Sequence, residues 1–135
     1  MNLVEQLVQV DVDKAYELKR GVFKSERLKE LMGLDAPVEV KIKELPQRKV
    51  QELLSMQYSS NGNHQMSKVF DSSLMCLVEG VQEPSLKDKE LRDHFRAETP
   101  KKLAEVLFGR EVTKISDAIM TLSGYGEENE EEVKN

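Results

Sequence analysis

The chain has 135 residues, the usual length of one domain, and can bury a hydrophobic core without disulfides or metals. Its net charge of −5 lacks the basic excess that nucleic acids and anionic membranes attract, so neither is expected as a partner. A single cysteine, no apolar run of ~20 residues, and Glu5 where a signal peptide carries Lys or Arg together predict a cytoplasmic protein.

The first twelve residues fit two patterns. Leu3, Leu7 and Val10 are spaced as on a helix, whereas residues 8, 10 and 12 alternate as in a strand. Asn2 followed by Glu5 resembles a capping box, which favours a helix.

Two short strands are predicted on either side of a helix. Residues 22–24 fit a strand, and the helix that follows has Ser25 as its N-cap and Gly33 at its end. Residues 37–45 alternate between apolar and charged side chains, which is the clearest strand pattern in the chain. If the strands pair, they form a small sheet that must pack on a helix to be stable.

The rest of the chain is predicted to be helical and to end in an acidic segment. Pro46 suits the first turn of a helix, residues 59–63 (SSNGN) indicate a loop, and Thr99-Pro100 marks another helix start. Five Glu in residues 126–135 predict a disordered tail. The predicted helices are residues 46–58, 66–80, 85–95, 100–108 and 113–123.

These elements predict a mostly α fold: a compact helical domain with a small two-stranded β element near the N-terminus, α+β by strict count. Residues 1–125 form the single domain, with residues 1–15 as a mobile terminal segment, and residues 126–135 form the tail.

The sequence has few candidates for chemistry. The histidines His64 and His94 belong to no recognisable constellation, and the apolar neighbours of Cys76 favour a buried thiol. We therefore expect no catalytic, cofactor-binding or metal-binding residues and no cofactor. An enzyme with a sparse site centred on Cys76 and His94 remains as an alternative, and it requires the two in one cleft within hydrogen-bond reach.

Methionines suggest where a partner protein could bind. Met66, Met75 and Met120 fall in helical patterns and are predicted to lie in the core. Met56 is the best candidate for an exposed methionine on an adaptable binding surface.

Two segments of the second half resemble a known family. They read VEGVQEPSLKDKELRDHF (residues 78–95) and TPKKLAEVLFGREVTKISDAIMTLSGY (residues 99–125). Together with the strand and the Pro-started helix before them, they resemble the tail assembly chaperones of tailed phages and prophage elements, specifically the XkdN-like group. The resemblance covers about residues 22–125.

The resemblance implies a function without catalysis. Such chaperones coat the tape measure protein, a long aggregation-prone helical chain, until tail tube protein polymerises around it. It implies the tape measure protein as the partner, with the tail tube protein and self-association as further candidates. Many members have a short and a frameshift-extended form, and this chain would be the short one. The alternative is a small prophage-encoded adaptor or regulatory protein that binds one host partner.

Overall fold

The computed structural model describes residues 2–58, 62 and 65–125. A three-stranded antiparallel sheet packs on one side against helices from the second half of the chain. The strands are β1 (Arg20–Ser25), β2 (Val38–Lys43) and β3 (Val81–Glu83). The helices are α1 (Leu3–Leu7), α2 (Val12–Tyr16), α3 (Glu26–Met32), α4 (Gln47–Ser55), α5 (Met66–Gly80), α6 (Lys89–His94), α7 (Pro100–Phe108) and α8 (Val112–Leu122), with a 3-10 turn at Gly109–Glu111.

The sheet confirms the predicted strand pair and adds a third strand. β1 and β2 pair in antiparallel register from Arg20↔Lys43 to Ser25↔Val38. β3 pairs with the other edge of β2, through Ile42↔Val81. The prediction of a two-stranded element was therefore wrong, because Val81 continues the helical spacing of the apolar residues before it and gives no sign of a strand. Its backbone is extended instead, and a three-residue strand is too short to show a period of two.

Local capping signals explain where most helices begin and end. The Ser25 side chain accepts a hydrogen bond from the Leu28 amide, and Gly33 ends α3 in the left-handed conformation with φ +65°. Thr99 caps α7 in the same way as Ser25 caps α3. These predicted ends are confirmed.

Several predicted helix boundaries differ from the structure, those of α8 and the end of α6 by a single residue. α6 begins at Lys89 and not at residue 85, because the Asp88 side chain caps it by accepting from the Leu91 amide. Pro46 occupies the N-cap position before α4 and not its first turn. α4 ends at Ser55, and the chain leaves helical geometry before residue 58.

The core lies between the sheet, α5, α7 and α8. α5 and α8 approach closely at Gly80, where an added Cβ would lie 2.7 Å from Ile119 Cδ1. Gly21 in β1 likewise faces Leu122, which brings the end of α8 against the sheet. The largest fully buried side chains include Phe108, Leu45, Leu77, Leu86, Leu103, Ile115 and Ile119.

A buried carboxylate ties the start of α3 to the turn before α8. Ser25 Oγ donates to Glu111 Oε1 at 2.6 Å, and the Glu26 amide donates to Glu111 Oε2 at 3.0 Å. Glu111 is only 7% exposed, so its charge is satisfied by these donors and not by water. The bonds join residues more than eighty positions apart.

α1 begins where the capping box predicts a helix, but it ends at Leu7 and not near residue 12, and α2 begins only at Val12. Asn2 accepts from the Glu5 amide at 2.8 Å and Asp11 accepts from the Asp13 amide at 3.0 Å, so each helix has its own cap. The predicted loop at residues 59–63 lies outside the described residues apart from Gly62, and the acidic tail at 126–135 lies wholly outside them.

Candidate protein-binding surfaces

The structure separates the two residues of the alternative enzyme site. Cys76 is 2% exposed in α5, and its thiol donates to the Ser116 carbonyl at 3.8 Å. His94 lies on the surface in α6, with its ring edge-on to Phe95 at 4.9 Å between centroids. Because the thiol is enclosed in the core, it is not available in a cleft as that hypothesis requires. His64 lies outside the described residues.

The environment of Cys76 also opposes a nucleophilic thiolate. Burial raises the pKa of the Cys76 thiol from its ordinary value of 9.0 to about 11. The thiolate is the reactive form of cysteine, so a pKa this high leaves it almost entirely protonated near neutral pH.

Among the residues that the structure describes, the largest group of exposed apolar side chains lies in residues 2–17, called the N-terminal arm below. Seven of its large apolar side chains are between 49% and 79% exposed: Leu3, Val4, Leu7, Val8, Val10, Val12 and Tyr16. All residues of α1 and α2 are described by the structure, and none of them is buried. A fully exposed side chain of this size presents on the order of 100 Å² of surface. The seven side chains together therefore expose several hundred Å² of apolar surface. Patches of that size on a soluble protein mark interaction sites.

The backbone hydrogen bonds within the arm are local. They join residues at most four positions apart, as from the Val8 amide to the Val4 carbonyl at 3.1 Å. Lys19 is hydrogen-bonded to the body: its amide donates to Glu44 Oε1, and its carbonyl accepts from the Glu44 amide. Five-residue helices are marginal alone in water, so the arm gains order when its apolar side chains are covered.

The arm is also strongly acidic. It carries four carboxylates (Glu5, Asp11, Asp13 and Glu17) and one ammonium (Lys14), a side-chain charge of −3. The body from residue 18 to residue 125 carries 18 basic and 16 acidic side chains, a charge of +2. The acidic character of the protein is therefore concentrated at its two ends, in the arm and in the Glu-rich last ten residues.

A second candidate surface is a cleft between α4, α5 and α8. Its volume is about 660 Å³, within the ~300–1,000 Å³ of ligand pockets. Its lining mixes apolar with polar side chains, so it is less apolar than the arm. The lining residues include Leu54, Val69, Met120, Tyr125, Ser73 and Asp117.

The methionines follow the predictions in part. Met75 and Met120 are partly buried against the core, as expected, and Met56 is 38% exposed, as expected for a surface methionine. Met66 was predicted to be buried, but it is 80% exposed. It is the first residue of α5, one turn before the helix enters the core, so its helical spacing carried no information on burial.

Sequence reasoning missed the arm as a binding surface. Its apolar spacing was visible, but the same spacing describes a helix that packs in the core.

Among residues 2–58, 62 and 65–125, no group of three or more His, Cys, Asp and Glu side chains could hold a metal ion. In the same ranges no helix has the length and apolar character to cross a membrane.

Comparisons with known proteins give the fold from a solved structure and, separately, the family from a family model. The crystal structure of the protein yqbn matches this fold with a TM-score of 0.62, covering 93% of this chain and 98% of that one at 16% sequence identity. A search of curated proteins gave no match. The family model for the phage XkdN-like tail assembly chaperone protein matches residues 4–135, nearly the whole sequence. The chain therefore belongs to the phage XkdN-like tail assembly chaperone family.

Proposed function

We propose that this chaperone binds the tape measure protein of its phage or prophage and keeps it soluble in the bacterial cytoplasm until the tail tube assembles. It acts by binding alone, without a cofactor and without catalysis. The observation that carries this proposal is the N-terminal arm, whose seven large apolar side chains are exposed to solvent.

The arm suits a protein that shields another from aggregation. An aggregation-prone helical chain exposes apolar surface, and covering it with the apolar side chains of the arm removes both surfaces from water. The net charge of −5 then keeps the complex soluble through repulsion between complexes. Each arm covers little of a long chain, so several copies are expected on each tape measure protein.

The test is co-expression with the tape measure protein of the same phage or prophage, followed by size-exclusion chromatography with light scattering. The proposal predicts that the tape measure protein becomes soluble only when this chain is present, and that several copies elute with it. If the tape measure protein stays insoluble, or this chain elutes alone, the proposal is wrong. Binding of one host protein in a one-to-one complex would instead favour the adaptor alternative.

A variant with Leu3→Ser, Leu7→Ser and Val8→Ser tests the role of the arm. We expect it to lose the solubilising activity while its thermal unfolding stays within about 0.5 kcal/mol of wild type, because these three side chains are each more than half exposed. Met66→Ser is the matched control, since Met66 is equally exposed but lies outside the arm. It should retain the activity.

A further inference from the structure

We infer that the N-terminal arm recognises one chemical class of partner: an amphipathic α-helix whose apolar stripe is flanked by lysines and arginines. This inference rests on the proposed function, because it specifies the part of the client that the arm binds.

The apolar side chains of the arm are arranged to meet a helix. Leu3, Val4 and Leu7 of α1 and Val8, its C-cap residue, are spaced by one and four positions, which places them on one side of that helix. Val12 and Tyr16, four positions apart, do the same in α2. Two short helices with exposed apolar sides match the apolar stripe of a partner helix, the pattern used when an amphipathic helix lies in an apolar groove.

The charge of the arm selects among amphipathic helices. Glu5, Asp13 and Glu17 lie between or beside the apolar positions and have no basic neighbour in the arm except Lys14. A partner with Lys or Arg beside its stripe gains attraction from these carboxylates, whereas Glu or Asp at the same positions adds repulsion. The body, with a charge of +2, does not offer this preference.

The exposed area agrees with a helical partner rather than with a large globular one. The arm offers several hundred Å² of apolar surface, less than the ~800 Å² that each side of a standard protein–protein interface buries. Binding at one arm is therefore expected to be weak.

The experiment uses the full chain and two designed helical peptides of roughly four heptads, with the same leucine stripe and either Lys or Glu beside it. Fluorescence anisotropy at low salt should show the Lys peptide binding at least tenfold more tightly than the Glu peptide. Raising the salt concentration should shrink the difference, because salt screens charges on the surface. Equal binding of the two peptides would overturn the inference.

Two variants with neutralised carboxylates show which acidic residues produce the preference for the Lys peptide. The first variant combines Glu5→Gln, Asp13→Asn and Glu17→Gln. It should lose the preference for the Lys peptide but still bind the leucine stripe of both peptides. The matched control replaces three glutamates of the last ten residues, Glu130, Glu131 and Glu132, by Gln and should keep the preference. If the control loses the preference and the arm variant keeps it, the acidic end and not the arm selects the partner, and the inference is wrong.

These outcomes are separate from those of the co-expression assay. A wild-type chain that solubilises the tape measure protein but does not distinguish the peptides contradicts the inference alone. A chain that prefers the Lys peptide but fails to solubilise the tape measure protein contradicts the proposed function alone.

Discussion

Adding one methyl group at Gly80 should destabilise the protein. Gly80 ends α5, and a Cβ there would lie 2.7 Å from Ile119 Cδ1 and 2.8 Å from Ile119 Cγ2. Carbon atoms in contact prefer separations of ~3.5–4.0 Å, so Ile119 would have to move. It has little room, because it is fully buried and its β-branched side chain is stiff at χ1.

Two opposing effects set the magnitude of Gly80→Ala. Removing the backbone freedom of glycine in the unfolded chain stabilises by ~0.4–1 kcal/mol where the native backbone suits alanine, and Gly80 is not among the glycines with positive φ. Overpacking a well-filled core costs ~1–3 kcal/mol. The overlap with Ile119 should dominate, so we expect a net loss of about 1–2 kcal/mol, measured by urea unfolding with circular dichroism.

A double-mutant cycle with Ile119→Ala tests the cause. Ile119→Ala alone should cost ~2–5 kcal/mol, but it also removes the atoms that the new methyl group meets. The double variant should therefore be more stable than the sum of the single changes by ~0.5–3 kcal/mol. Gly33→Ala is the control: it has nothing within 4 Å and should combine additively with Ile119→Ala. A stabilising Gly80→Ala, or a cycle without coupling, would refute the close packing of α5 on α8.

Three further predictions concern buried polar groups. Burial holds the folded pKa of Cys76 at about 11, above the 9.0 of the exposed thiol, so stability should fall as the pH rises from 9.0 towards 11. Urea midpoints across that range should fall more in wild type than in Cys76→Ala, and equal slopes would contradict the assignment. Glu111→Gln should cost ~1–3 kcal/mol in the same assay, because one of its two hydrogen bonds at the start of α3 is lost. Glu105→Gln, at an exposed ion pair 3.9 Å long, should change stability by less than ~1 kcal/mol, and an equal effect would refute the role of Glu111. Ser123→Ala should cost ~1–2 kcal/mol, because the buried Leu45 amide donates to Ser123 Oγ at 2.9 Å, and an unchanged midpoint would count against this bond.

The sequence by itself determined the features that depend on neighbouring residues. Ser25 and Gly33 bound α3 because a side-chain cap and a left-handed glycine act within one turn of the chain. Residues 38–43 form β2 because strand alternation is a local pattern, and α5 follows the spacing of its apolar residues to its last residue, Gly80. The family resemblance rested on the same local signals.

Only the tertiary structure decided what lies far apart in sequence or depends on burial. β3 exists because β2 offers an edge to Val81–Glu83, and three residues carry no period of their own. Glu111 accepts a hydrogen bond from Ser25 Oγ, although the two residues lie far apart in sequence. No local sequence pattern indicates this bond.

The arm shows the same limit most clearly. Leu3 and Leu7 have the spacing of a core helix, yet both are exposed. Periodicity states which side chains share a face of a helix, whereas packing of the whole chain decides whether that face is covered by the protein itself or left for a partner.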